Sequence, residues 1–196
     1  MRLGDFASVR SGLVLSRKQS KELSEYRYPL LNLRCIRQEG TIDLKEADVY
    51  AAKEPLKKEY LSQKGDIVVR LTAPYTAVLI NETTSNMVIS SNFVVIRTED
   101  NRLLPEYLYW LLNTQKVRRK IYANATSNML GAVKAKFFTD YELEFISAEE
   151  QHKIAQLNLL AQKESQLLKK LADEKEKYYM YLLKQADKRA KGGKIK

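Results

Sequence analysis

The sequence predicts an α+β protein: a β-rich domain with short helices, followed by one long C-terminal helix that forms a coiled coil. Three observations predict it. Short β-branched runs separated by polar turns occupy the first 100 residues. No Gly or Pro occurs from Ser147 until Gly192, so nothing interrupts a helix there. That same stretch carries an apolar stripe at coiled-coil spacing. With 196 residues, 44% hydrophobic and 30% charged, the chain is globular and has room for one domain and an appendage. The divisions expected are a domain over residues 1–147, a helix over 148–190 and a short basic tail over 191–196.

In chain order, Gly65-Asp66 is a turn leading into the strand Ile67-Val68-Val69-Arg70-Leu71. Ala77-Val78-Leu79-Ile80 is a second apolar run, and residues 81–86 are a polar connection to a third strand. That strand is expected from Met87-Val88-Ile89 through Phe93-Val94-Val95-Ile96-Arg97. Pro105-Glu106 then opens a helix, since proline suits the first helical position and acid the first turn. Its apolar face comes from residues 107–112. Lys116, Arg118, Arg119 and Lys120 follow in its C-terminal half, where cations suit the dipole. Residues 124–128 are expected as a polar loop, and Tyr141 to Ile146 as a last short strand. Tyr107, Tyr109, Tyr178 and Tyr181 read as structural from their helical spacing.

The long helix begins at a capping box, with Ser147 as N-cap and Glu150 three positions on. From about 148 to 188 it would run roughly 60 Å, too long for a domain of this size to cover. Steps of three and four from Ile154 pass through Leu157, Ala161, Glu164, Leu168, Leu171, Lys175, Tyr178 and Leu182, a coiled-coil seam. Leu160, Leu167 and Tyr181 widen it on one side. Two copies packed antiparallel about an axis between residues 169 and 170 pair Leu157 with Leu182, Ala161 with Tyr178, Leu168 with Leu171, and Glu164 with Lys175. A parallel pair in register would stack like charges at 164 and 175. An antiparallel homodimer is therefore expected, with these eight residues at its interface.

Charge narrows the partner. Net charge is +10, and the excess is spread evenly: 12 Lys/Arg against 7 Asp/Glu in residues 148–196, and 22 against 17 in the rest. Such a surface attracts polyanions, of which nucleic acid is the commonest. No run approaches the roughly 20 apolar residues of a membrane span. The N-terminus lacks a signal-peptide core, and the single cysteine forms no internal disulfide, so a cytoplasmic setting is expected.

No catalytic motif is found. Among 7 glycines none forms G-x-G, and no G-x-x-x-x-G-K-[ST] occurs. His152 is the only histidine and Cys35 the only cysteine, which excludes a His/Cys zinc site within one chain. His152 is expected on the helix surface and Cys35 as a small buried hydrophobe. A metal-dependent nuclease needs clustered acids and a lysine; Asp66 and Glu82 are followed by Thr84 where lysine would stand. Catalytic residues, metal ligands and cofactors are all expected to be none. The residues suited to reading DNA are Arg17, Lys18, Arg34, Arg70, Thr72, Tyr75, Asn92, Asn128, Lys134 and Lys136. Arg and Asn can read groove edges, while most basic contacts only position phosphates.

The chain resembles the specificity subunits of type I restriction–modification systems. The likeness rests on Leu3-Gly4-Asp5 with Ser11-Gly12, on Tyr28-Pro29-Leu30-Leu31-Asn32-Leu33, and on Gly65-Asp66-Ile67-Val68. It continues through Pro105-Glu106-Tyr107-Leu108 and Leu130-Gly131 to the helix start Glu150-Gln151-His152-Lys153-Ile154-Ala155. Where the family usually has prolines just before that helix, this chain has Phe145-Ile146-Ser147-Ala148. The resemblance implies a target recognition domain over 1–147 and a conserved-region helix that docks partners. Full-length members carry two such units; only one is present here, so a half-size form is implied. Its homodimer would read a palindromic, interrupted site in double-stranded DNA. The resemblance also implies a methyltransferase (modification) subunit and a restriction subunit as partners, the chain itself being non-catalytic. The competing reading is a coiled-coil protein-interaction adaptor, or an orphan specificity fragment that no longer reads DNA.

Overall fold

A computed structural model describes residues 1–127 and 131–192. The chain divides into two units, Met1–Ala155 and Gln156–Lys196. The mixed α+β class is as the sequence predicts.

Among the described residues of the first unit, seven strands make two sheets. β1 (Ala7–Ser11), β4 (Ile67–Arg70), β5 (Ala77–Leu79) and β7 (Phe93–Thr98) form an antiparallel sheet in the order β1-β7-β4-β5. β2 (Arg27–Leu31), β3 (Asp48–Ala51) and β6 (Val88–Ile89) form a smaller one in the order β3-β2-β6. There β2 runs antiparallel to β3 and parallel to β6. Pro29 lies in the central strand of the small sheet. It is accommodated because β6 pairs only with Leu30 and Leu31.

Alternation along the strands of the larger sheet fills two cores. Ile67, Val69, Val94 and Ile96 pack with Leu108, Leu112, Ile121 and Phe138. Val68, Val78, Phe93 and Val95 pack instead with Leu31, Cys35, Met87 and Ile89. Both faces are covered, so β4 and β7 read as continuous apolar runs. Cys35 is fully buried, and that burial raises its thiol pKa. Asp66 is 0% exposed and takes both ends of the Arg97 guanidinium, at 2.7 and 2.8 Å, as well as the Gln63 amide at 2.9 Å. Close approach fixes one glycine: a Cβ on Gly12 would lie 2.1 Å from the Ser90 carbonyl oxygen.

Four helices follow or flank the sheets: α1 (Pro105–Asn113), α2 (Gln115–Thr126), α3 (Ala135–Thr139) and α4 (Ala148–Gly192). Several local expectations are corrected. The helix opened by Pro105 is two helices, because Thr114 is extended (ψ 148°). Its hydroxyl donates to the Leu111 carbonyl at 2.7 Å and accepts from the Val117 amide at 3.4 Å, closing α1 and capping α2. Residues 124–126 belong to α2 and not to a loop. Ala125 is buried there, and Thr126 bonds back to the Tyr122 carbonyl at 3.0 Å. The strand expected over 87–97 is two strands in different sheets, turned at Ser90 by the Phe93 amide donating to the Ser90 carbonyl (3.1 Å).

The strand expected over 141–146 is only an isolated bridge, Arg2 to Glu142. The Leu3 amide meets the Tyr141 carbonyl and the Leu143 amide meets the Met1 carbonyl, both at 2.8 Å. Leu3–Asp5 then coils into a 3-10 turn, so the pairing cannot continue. Tyr107 and Tyr109 are buried, as core residues; Tyr178 and Tyr181 are each 58% exposed.

α4 starts as its capping box predicts: Ser147 Oγ accepts from the Glu150 amide (3.2 Å), and Glu150 accepts from the Ser147 amide (3.1 Å). It runs past the expected end near 188 to Gly192. Gln151 is buried; its amide donates to the Arg102 and Ile146 carbonyls and accepts from the Leu104 amide, at 2.8, 3.1 and 3.0 Å. With Ala155 it ties the first turns of α4 into the compact unit Met1–Ala155. In the second unit the helix covers none of its own stripe: Leu157, Leu168, Leu171 and Leu182 are 42–70% exposed.

Candidate nucleic-acid interface

Three polar loops converge where β4 ends. The Leu71 amide donates to the Asn92 carbonyl at 3.0 Å, and its carbonyl accepts from the Val133 amide at 2.9 Å. One residue thus joins the loop over 71–76, the turn over 90–92 and the segment over 131–134. The first loop is tightened by the Tyr75 amide on the Thr72 carbonyl (3.0 Å) and the Arg70 amide on the Thr76 carbonyl (3.1 Å). Tyr75 has φ 55°, a left-handed conformation uncommon for a side-chain-bearing residue. Its ring is buried, its hydroxyl donates to the Gly131 carbonyl (3.3 Å), and it meets Tyr122 of α2 edge-on at 6.5 Å. The structure therefore brings together Arg70, Thr72, Tyr75, Asn92 and Lys134, with Lys136 two residues further on. Thr72, Asn92, Lys134 and Lys136 are exposed, whereas Tyr75 is turned inward as an anchor for the loop.

Helix α2 completes this surface. Val117, Ile121 and Ala125 are buried four residues apart, which turns Lys116, Arg119 and Lys120 to solvent. On one flank Lys120, Asn124, Lys134 and Lys136, together with Asp140 and Glu142, line a groove of about 440 Å³. On the other, Tyr75, Gln115, Arg118, Arg119 and Tyr122 line one of about 370 Å³. Arg118 is fixed there, its Nη2 donating to Asn113 Oδ1 at 2.6 Å; Asn113 in turn grips both backbone groups of Ala77. The list drawn from sequence omitted this helix as a binding element, although its buried i, i+4 triplet was legible.

Two arginines enter from the sheet. Arg10 of β1 stands opposite Val95, on the face that also carries Val68 and Arg70. Burial lowers the pKa of both guanidiniums, for Arg10 against the opposing pull of Asp66. Among the described residues Arg10 Nη2 and Arg70 Nε are buried without a hydrogen-bond partner, so each holds donor capacity that these residues leave unused. Arg10 was not singled out from sequence, because a lone basic residue in a strand carries no pattern.

The other candidates lie elsewhere. Arg17 ends the 3-10 turn Leu15–Arg17 and is exposed. Lys18 is paired with Glu54, and Arg34 with Asp48 of β3 at 2.7 Å. These three sit beside the small sheet, and two have their charge already met. Asn128 lies outside the described residues. Among the described residues no group of three His, Cys, Asp or Glu could hold a metal, and no helix is long and apolar enough to cross a membrane.

A β-rich domain with a basic, loop-built surface and a helix whose apolar stripe lacks cover in its own unit define a macromolecular binding module. The chain belongs to the type I restriction modification DNA specificity domain family, whose model matches residues 1–174 and so includes more than half of α4. Its fold is shared by the HsdS subunit from Thermoanaerobacter tengcongensis, at TM-score 0.64 and 16% identity, over 90% of this chain and 45% of that one. It is likewise shared by the S subunit of the type I restriction-modification system from M. genitalium (0.55, 16%, 88% and 41%). A third similar chain comes from a type I R-M system studied for complex assembly and conformational transition (0.58, 18%, 90% and 41%). The chain spans less than half the length of each of these. No curated protein matches it significantly.

Proposed function

We propose that this chain is a non-catalytic DNA-reading specificity subunit, acting in the cytoplasm as an antiparallel homodimer on a palindromic, interrupted site in double-stranded DNA. The observation that carries the reading is the junction at Leu71, which holds three polar loops beside the basic face of α2 in a chain of this family. Thr72 and Asn92 supply groove-edge contacts, and Lys120, Lys134 and Lys136 position phosphates. Pairing of two α4 helices in the register centred between residues 169 and 170 sets the two domains on a two-fold axis. Half-sites then lie about 34 Å apart or more, up to the length of the helix. A methyltransferase subunit and a restriction subunit supply the chemistry and dock on the helical region.

Selection of the purified chain, with its methyltransferase partner, against a random duplex pool tests this. A bipartite palindrome is expected, with affinity falling steeply as salt rises. Lys134→Ala or Lys136→Ala weakens all sequences alike and lowers the salt slope by about 1 each. A non-palindromic methylated motif in cells carrying both subunits contradicts the homodimer. Salt-insensitive binding without sequence preference contradicts DNA reading and leaves the protein-interaction adaptor.

A further inference from the structure

Arginines of the β-rich unit commonly meet a carboxylate: Arg34 meets Asp48 and Arg97 meets Asp66 at 2.7 Å, and Arg102 meets Asp100 at 2.6 Å. Arg70 is different. Burial alone lowers its pKa, with no acid among the described residues to oppose it, and its Nε is buried without a partner there. Arg10, whose Nη2 is likewise unpartnered, lies within the pull of Asp66 and Glu59. The backbone at Arg70 is held from both sides. It stands opposite Phe93 of β7, and its amide donates to the Thr76 carbonyl at 3.1 Å. Phe93 and Thr76 are 0% exposed, while Arg70 is partly exposed. The Thr76 hydroxyl is also unpartnered, so the guanidinium does not use the side-chain acceptor opposite it. Leu71 follows directly and joins the three loops. A planar donor fork is thus set on a strand end, next to the loops that carry the exposed Thr72 and Asn92.

We infer that Arg70 reads a guanine in each half-site, through O6 and N7 on its major-groove edge, and so fixes one G·C pair of the target. An unpaired guanidinium partly removed from water is costly to the free chain, and a ligand that brings two coplanar acceptors offsets that cost. Guanine presents two adjacent acceptors in the major groove. Adenine presents an acceptor beside a donor, thymine an acceptor beside a methyl, and cytosine a donor. A fork that can only donate therefore favours guanine over the other three bases. A phosphate also offers two acceptors, but the exposed Lys134 and Lys136 already serve that need on long stems that follow the backbone. Arg70, anchored between two buried neighbours on a strand, has a fixed place, which position-specific reading requires. This assignment rests on DNA reading by the loops at Leu71 and adds to it one base and its reader.

The test uses the full chain with its methyltransferase partner and a random duplex pool, for the native chain and for Arg70→Lys. The native chain is expected to select an invariant G·C pair in each half-site that Arg70→Lys no longer fixes. Discrimination at that pair falls by roughly 5- to 150-fold. Other positions and the salt slope are unchanged, because lysine keeps the charge but not the fork. Replacing that guanine by 7-deazaguanine, which lacks the N7 acceptor, weakens the native chain about tenfold and leaves Arg70→Lys unaffected. If Arg70→Lys fails to fold, the 7-deazaguanine duplex tests the same contact on the native chain. A selected half-site without an invariant G·C pair overturns the assignment, as does full discrimination by Arg70→Lys. Equal weakening of all sequences by Arg70→Lys also overturns it and gives Arg70 to a phosphate. Arg70→Met with a lower urea midpoint and unchanged selectivity overturns it in favour of a role in the fold alone. No selected sequence from the native chain overturns DNA reading itself, and this assignment with it.

Discussion

Ile67 in β4 and Leu168 in α4 are both large apolar residues on regular stripes, yet one is 0% and the other 60% exposed. The β-rich unit buries its stripes between two sheets and three helices of its own chain. The second unit is a helix with no second layer, so its stripe has nothing of its own to pack on. A hydrophobic pattern states that a face must be covered; whether the same chain covers it depends on what else folds around it. The same contrast holds for charge. Asp66 and Arg97 form a closed pair inside one chain, whereas Glu164 and Lys175 would meet only in the proposed antiparallel pair.

The contrast breaks or sharpens along a graded series of substitutions. Asp66→Ala strands the Arg97 guanidinium and the Gln63 amide, and should cost about 3–5 kcal/mol in urea unfolding of the whole chain. Next, Ile67→Ala should cost about 2–5 kcal/mol, while Leu168→Ala should leave unfolding of the β-rich unit within about 0.5 kcal/mol and weaken self-association instead. Equal unfolding losses at the two positions would mean that α4 is covered by its own chain. Gln151→Ala leaves two carbonyls and one amide without partners, and should cost about 1–3 kcal/mol. Its mark is faster hydrogen exchange over residues 102–104 and the first turns of α4. The smallest effect is Glu164→Lys, which should weaken the dimer by a few tenths to 1 kcal/mol in sedimentation equilibrium. Adding Lys175→Glu should restore it, and if neither change moves the equilibrium the proposed register is wrong.

The candidate surface was partly legible in the sequence. Arg70, Thr72, Tyr75, Asn92 and Lys134 stand out by their side-chain chemistry, and the fold gathers them because Leu71 bonds to two distant loops. Chemistry alone could not separate Arg70 and Lys134 from Arg17, Lys18 and Arg34, which are equally basic but lie beside the small sheet. Nor could it show that Tyr75 points inward, since a left-handed φ at a tyrosine leaves no trace in local propensity. The break at Thr114 has the same origin. A threonine is tolerable within a helix, and only its hydroxyl's two backbone bonds make it a stop and a start.

The helix start shows the converse. Glu150-Gln151 could be read as a motif without a reason for the glutamine. The structure supplies one: Glu150 closes the cap, while Gln151 bonds three backbone groups from two other segments. The capping box joins residues three apart, so sequence suffices to find it. The partners of Gln151 lie up to 49 residues away.

By itself, then, the sequence determined the α+β class, the uninterrupted helix with its cap, the spread of positive charge and the apolar stripe along that helix. All of these are set by periodicity, capping and composition, which act over a few residues or over the whole chain. Only the tertiary structure decided that the run from 87 to 97 serves two sheets, that α2 presents a basic ridge between two grooves, and that three loops meet at Leu71. Those features depend on hydrogen bonds and packing between segments about 20 to 90 residues apart, and no local preference encodes which distant partner will be met.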